Sequence, residues 1–200
     1  MVFSSSVFLF IFLPVTLALY FIPVSRQKSR EIAKKNLVLL VMSLIFYAWG
    51  EPTYIVLMLI SIFFNYNAGL DIEYNLKKDK RKTAKLVFAF TVFFNLFLLG
   101  YFKYSGFVAE NISSMFSLNI RQSALPLPVG ISFYTFQILS YVIDVYNGKL
   151  RAQKKLVPFA AYVTMFPQLI AGPIVRYSDV AQMLNKRGES VRQFASGIMM

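Results

Sequence analysis

Two residue types that carry much of enzyme chemistry are missing from this 200-residue chain: it has no cysteine and no histidine. Without cysteine there is no disulfide framework, no thiol nucleophile and no thiolate metal site. Without histidine, zinc hydrolysis and Ser-His or Cys-His catalysis cannot be assembled from these residues, so the usual proton-transfer group lies outside them. Charge is scarce as well, with charged residues at 15% against about 25% in ordinary soluble domains. Acid is the scarcer sign, nine Asp and Glu against 21 Lys and Arg. What remains is apolar: hydrophobic residues reach 57% and the mean hydropathy is +0.57. This is the composition of a membrane protein.

Most of the basic residues fall in three short runs between apolar segments: Arg26 to Lys35, Lys77 to Lys85, and Lys149 to Lys155. Basic residues divided in this way form no single patch for nucleic acid, and no nucleic-acid partner is expected. They read as cytoplasmic turns, because Lys and Arg are retained on the inner side and meet anionic lipid there. The first apolar run precedes its basic residues, the reverse of a cleavable signal peptide, so it is expected to be a retained helix with its N-terminus outside. The expected spans are 7–24, 36–49, 53–70, 86–102 and 129–147, with Pro14 adjusting the first of them and Gly50-Glu51-Pro52 turning the chain between the second and third. Trp49 and Tyr47 fall where interfacial aromatics sit. Asn65, Tyr66 and Asn67 read as helix-packing groups, since amides bond across helices in lipid. The weakly charged stretch 103–126 is expected to hold a short element lying on the membrane surface or capping the fold through Phe107, Ile112, Met115, Phe116 and Leu118.

Leu127 to Tyr146 is the segment around which the others are organised. On a helix, Gly130, Tyr134, Gln137, Tyr141 and Asp144 share an arc of roughly 80°. A polar stripe in lipid must face protein or a watery cavity, so it either bonds neighbouring helices or lines a substrate path. Asp144 lies beside the third basic turn and is expected to form an ion pair at the lipid interface. The stretch 157–175 is apolar but carries Pro158, Pro167 and Gly172-Pro173, which no continuous helix survives. Broken backbone at membrane depth is tolerated only against protein or a cavity, so Pro167, Gln168, Gly172 and Pro173 mark a broken or re-entrant segment beside an internal path. The fold class is therefore an all-α, polytopic membrane helix bundle of about five transmembrane helices plus that segment, in one membrane domain. No residue cluster points to a metal.

Four blocks in order, Met1-Val-Phe-Ser-Ser, Phe46-Tyr-Ala-Trp-Gly-Glu-Pro, Leu127-Pro-Val-Gly-Ile-Ser-Phe-Tyr-Thr-Phe-Gln with Ser140-Tyr-Val-Ile-Asp-Val-Tyr, and Phe166-Pro-Gln-Leu-Ile-Ala-Gly-Pro-Ile-Val-Arg-Tyr, resemble the membrane-bound O-acyltransferase family. They look most like its bacterial branch, which contains the alginate O-acetyltransferase membrane subunit and the teichoic-acid D-alanyl transfer protein. The resemblance implies a multi-pass protein of the bacterial inner membrane with an internal tunnel. An acyl group passes through it from a cytoplasmic donor, acetyl-CoA or an acyl carrier, to a hydroxyl of an extracytoplasmic polysaccharide, with a periplasmic acyltransferase as a further partner. It implies no permanently bound cofactor. The family's essential histidine sits on a later helix, so the chain looks like an N-terminal part of such an enzyme, with no catalytic residue in these 200. Tyr134, Gln137 and Tyr141 are then tunnel-lining candidates, and Arg176 would hold the broken segment or an anionic donor group. D-alanyl transfer is the nearest alternative reaction; a membrane transporter and a non-catalytic scaffold are the alternatives of another class.

Overall fold

The computed structural model describes residues 5–22, 27–116, 127–171 and 175–185. These form eight helices and, among the described residues, no strand: α1 (Phe8–Phe21), α2 (Lys28–Gly50), α3 (Ile55–Lys77), α4 (Arg81–Phe116), α5 (Ile131–Tyr146), α6 (Leu156–Thr164), α7 (Phe166–Ala171) and α8 (Tyr177–Asn185). Helices α2, α3 and α4 are long and apolar enough to cross a membrane. Of the five spans expected, the first and last are shorter. At 1.5 Å per residue, α1 and α5 reach only about 21 and 24 Å, against a hydrocarbon core of about 30 Å.

The first turns of α1 show how Pro14 is accommodated. Residues Phe8–Phe12 form a π-helical turn immediately before the α-helical Leu13–Phe21. Proline lacks the N–H that would bond four residues back, and its ring crowds that carbonyl; the wider turn relieves both. The Thr16 hydroxyl donates to the Phe12 carbonyl at 2.7 Å. Phe8 and Phe12 then pack with Phe46 of α2 and Phe166 of α7.

Helix α4 corrects the expectation of a surface element after residue 102. It runs unbroken for 36 residues to Phe116. No proline interrupts 103–116, and its isolated Gly106 lowers helix propensity without stopping the hydrogen-bond ladder, so polarity alone did not end the helix. Leu118 lies outside the described residues, as do the side chains of Ile112 and Phe116. Along α4 the usual distribution is inverted. Leu86, Phe90, Phe93 and Phe97 are exposed, while Ala84, Thr91, Asn95 and Leu99 are buried, as expected where the surrounding solvent is acyl chain.

The buried polar positions pin α3 to α4. Asn65 Nδ2 donates to Asn95 Oδ1 at 3.1 Å and Asn95 Nδ2 donates to Asn65 Oδ1 at 2.7 Å. Each amide also donates to the carbonyl four residues back, of Ser61 and Thr91. Interhelical bonds of this kind contribute about 0.6 to 2 kcal/mol in membranes. Asn65→Leu alone leaves a buried amide half paired and is expected to cost about 1–2 kcal/mol in detergent unfolding of the full-length protein. Adding Asn95→Leu is expected to recover about 1 kcal/mol, and strict additivity of the two costs would refute the pairing.

The described part of the stretch 157–175, expected to be broken or re-entrant, holds two helices rather than one. Helix α6 ends at Thr164, Met165 takes an extended conformation (φ −50°, ψ 109°), and α7 restarts at Phe166. Lys155 and Leu156 at the start of α6 and Leu184 and Asn185 at the end of α8, beyond that stretch, line one groove beside the first residues of α2, so that α6 to α8 together form a re-entrant segment. The chain thus leaves from and returns to the end of the bundle that carries the basic turns. A stripe on α2 holds it there: Asn36, Ser43 and Tyr47 share an arc of about 40°. Asn36 Nδ2 donates to the Leu184 carbonyl at 2.9 Å, and Ser43 Oγ accepts from the Phe166 N–H at 3.3 Å.

Candidate functional site

Helix α5 sits at the centre of this arrangement, with Ile131, Tyr134, Thr135, Gln137, Ile138, Tyr141 and Val142 all buried. Its start is set by Gly130, whose φ of +77° places it in the left-handed region. A Cβ there would also meet Leu169 Cγ at 3.0 Å and the Leu169 carbonyl at 3.1 Å. Only glycine allows α5 to begin this close to α7.

The polar stripe of α5 divides into two parts with different surroundings. Towards the basic end, Tyr141 is fully engaged. Its hydroxyl accepts the Gln153 N–H at 3.1 Å, and its ring packs on Phe159 and Tyr177 with centroids at 4.7 and 5.1 Å. Gln153 continues the network by donating from Nε2 to the Tyr177 hydroxyl at 2.7 Å, and its Oε1 accepts the Lys155 N–H. Burial pushes the Tyr177 phenol above its ordinary range against the opposing effect of the Gln153 bond, which keeps it neutral. Tyr66 donates to the Lys154 carbonyl at 2.7 Å and Tyr162 to the Val175 carbonyl at 2.8 Å. Tyr66 thus fastens the third basic turn to α3, and Tyr162 ties α6 to the backbone before α8 and, at 3.4 Å, to the Gln137 carbonyl of α5.

Further along α5, nearer its start, the polar atoms are open. Gln137 Nε2 donates to Oε1 of Gln168 on α7 at 3.3 Å, but Gln137 Oε1 has no partner among the described residues. The hydroxyls of Tyr134 and of Tyr47 on α2 are likewise buried without a hydrogen bond among the described residues. Tyr134 and Gln137 are 1% exposed and Tyr47 3%. Tyr47 and Tyr134 belong to the same cluster of buried side chains. Leaving such a group unsatisfied costs about 1–3 kcal/mol, so three such atoms on α2 and α5 are an unusual concentration of open hydrogen-bonding capacity. Two hydroxyls can donate there and one carbonyl oxygen can accept.

Of the residues expected from the sequence, Tyr134, Gln137 and Gln168 are thus brought together. Tyr141 belongs to the network at the other end of α5. Pro167 is exposed on α7, and Arg176 is exposed just before α8 with no ion pair among the described residues. Gly172 and Pro173 lie outside the described residues. Asp144 is buried and makes no ion pair among the described residues; its carbonyl accepts the Lys149 and Leu150 N–H groups. The expected interfacial ion pair is thus not formed among the described residues. Tyr47 is the residue the sequence reading passed over, because its place beside Trp49 suggested the membrane interface. The spacing of Asn36, Ser43 and Tyr47 on one face of α2 was the signal that it points inward.

The fold and this centre define a helical membrane protein with a buried polar site at the tip of a re-entrant segment. The chain is 41% identical over 201 residues, 98% of its length, to proteins named probable alginate O-acetylase AlgI from Pseudomonas syringae pv. tomato and Pseudomonas aeruginosa. It is 32% identical over 204 residues, 90% of its length, to a peptidoglycan O-acetyltransferase of Helicobacter pylori. It spans 37% of the length of the two Pseudomonas proteins. Over the stretch they share, the chain is similar to these O-acetylating membrane proteins. No family model and no solved structure matches it.

Proposed function

We propose that the full-length protein is a membrane O-acetyltransferase that moves an acetyl group across the bacterial inner membrane to a hydroxyl of an extracytoplasmic polysaccharide. The observation that carries this reading is the 41% identity over nearly the whole chain with proteins named alginate O-acetylase. The orphaned polar atoms suit it. In this reading the Tyr47 and Tyr134 hydroxyls donate to the acyl carbonyl oxygen as negative charge develops on it, and Gln137 Oε1 accepts from the attacking hydroxyl and orients it. The general base is supplied from outside these 200 residues, which contain no histidine. The acyl donor, acetyl-CoA or an acyl carrier, approaches from the side of the basic turns, and a periplasmic acyltransferase completes delivery to the polymer.

Deleting the full-length gene in its host is expected to remove ester-linked acetyl from the exported polysaccharide, and returning the gene to restore it, as read by the acetate released on mild alkaline treatment. Unchanged acetyl content, or loss of ester-linked D-alanine instead, would overturn the assignment.

A further inference from the structure

The groove between the first residues of α2, the start of α6 and the end of α8 plays no part in the reaction above. It encloses about 810 Å³, within the range of small-molecule sites. Its walls are mostly apolar, and two of them, Leu37 and Leu156, are large hydrophobic side chains left exposed. Leu184 forms a buried part of the floor. Among the described residues, the charged ones lining it are Lys34 and Lys155, with no acid. Lys34 is held in place because its ammonium donates to the Ile22 carbonyl at the end of α1, which leaves two of its three protons for another acceptor. No side chain caps the start of α6, so the amide groups of its first turn, at Leu156 and Val157 on the wall, favour an anion.

We propose that this groove binds an anionic phospholipid of the leaflet facing the basic turns, with its phosphate between Lys34 and Lys155 and an acyl chain along Leu37, Leu156 and Leu184. A soluble anion would account for the lysines but not for the exposed leucines beside them. A zwitterionic lipid would account for the leucines, while its own cation would face two lysines with no acid to offset them. The occupant joins α2 to both ends of the re-entrant segment, so it steadies that segment from the end opposite to the three orphaned polar atoms.

The test is native mass spectrometry of the full-length protein released from nanodiscs, with phosphatidylglycerol and phosphatidylcholine of identical chains as probes. Phosphatidylglycerol is expected to be retained preferentially. Lys155→Gln, at an exposed position, is expected to weaken its retention about fivefold, the effect of one basic residue near a membrane surface. Lys78→Gln, which removes the same charge from the second basic turn, is expected to leave retention unchanged. Leu37→Ser is expected to weaken both lipids. Equal retention of the two lipids, equal effects of the two lysine substitutions, or displacement of the lipid by millimolar inorganic phosphate or coenzyme A would each overturn the proposal.

Discussion

Tyr47→Phe and Tyr134→Phe are expected to leave the full-length protein as stable as its parent, or up to about 1–2 kcal/mol more stable, while polysaccharide O-acetylation falls by about 10- to 100-fold. Both hydroxyls are buried and unpaired among the described residues. Removing a polar atom that has no partner relieves its desolvation cost and leaves a ring of nearly the same shape. The loss of transfer follows from the same atoms acting as donors to the developing oxyanion, where deleting one donor costs about 10²-fold or more in well-studied cases and less where a second donor remains. Gln137→Leu removes both the acceptor and the bond to Gln168, so it is expected to cost more in transfer and about 1 kcal/mol in stability. Thermal melting in detergent and acetyl content on the same variants separate the two quantities. A phenylalanine that lowers melting and transfer together would show that the hydroxyl has a structural partner, and the assignment of these atoms to a guest would be withdrawn.

Gly69→Val is expected to destabilise the protein by about 3 kcal/mol or more, the largest effect anticipated for a single site on α3. A Cβ at this position would stand 2.8 Å from both Cε1 and the hydroxyl oxygen of Tyr141. A side-chain end can often swing aside, but here Phe159 and Tyr177 box the ring in on other sides and the hydroxyl is tied to the Gln153 N–H. Overpacking of this kind costs about 1–3 kcal/mol before the hydrogen bond is counted. Gly69→Ala should show a smaller loss, and Tyr141→Phe in the alanine background should return part of it by removing one of the two crowded atoms. An unchanged melting temperature for the valine variant would mean that α3 and α5 do not approach as described.

The helical bundle was readable because two physical demands coincide in the chain: spanning needs long apolar runs, and orientation needs basic turns between them. The interruption at Met165 was readable from Pro167, whereas Pro158, also expected to break the helix, sits in the first turn of α6, where its missing N–H would have had no partner anyway. Where α4 would end was not, since Lys103 to Phe116 looks like a polar connection and only the absence of a helix breaker argues otherwise. Periodicity placed Tyr134, Gln137 and Tyr141 on one face but carries no information about depth or neighbours. Tyr141 meets Gly69 and Gln153, residues distant in sequence, while Tyr134 meets nothing among the described residues that bonds its hydroxyl. Tyr47 was misplaced for a related reason. Its neighbour Trp49 is exposed and its helical partners Asn36 and Ser43 are not, and the former is nearer in the chain.

The reciprocal Asn65–Asn95 pair also bears on how the protein is made. Helices α3 and α4 are separated only by Lys78, Asp79 and Lys80, with Asp79 at a φ of +55°, and the basic residues around that turn oppose its passage through a membrane. A newly synthesised α3 entering lipid alone would carry an unpaired amide, whereas the hairpin carries none at that depth. The two helices are therefore expected to leave the insertion machinery together, already in register, as the template on which α5 and the re-entrant segment assemble.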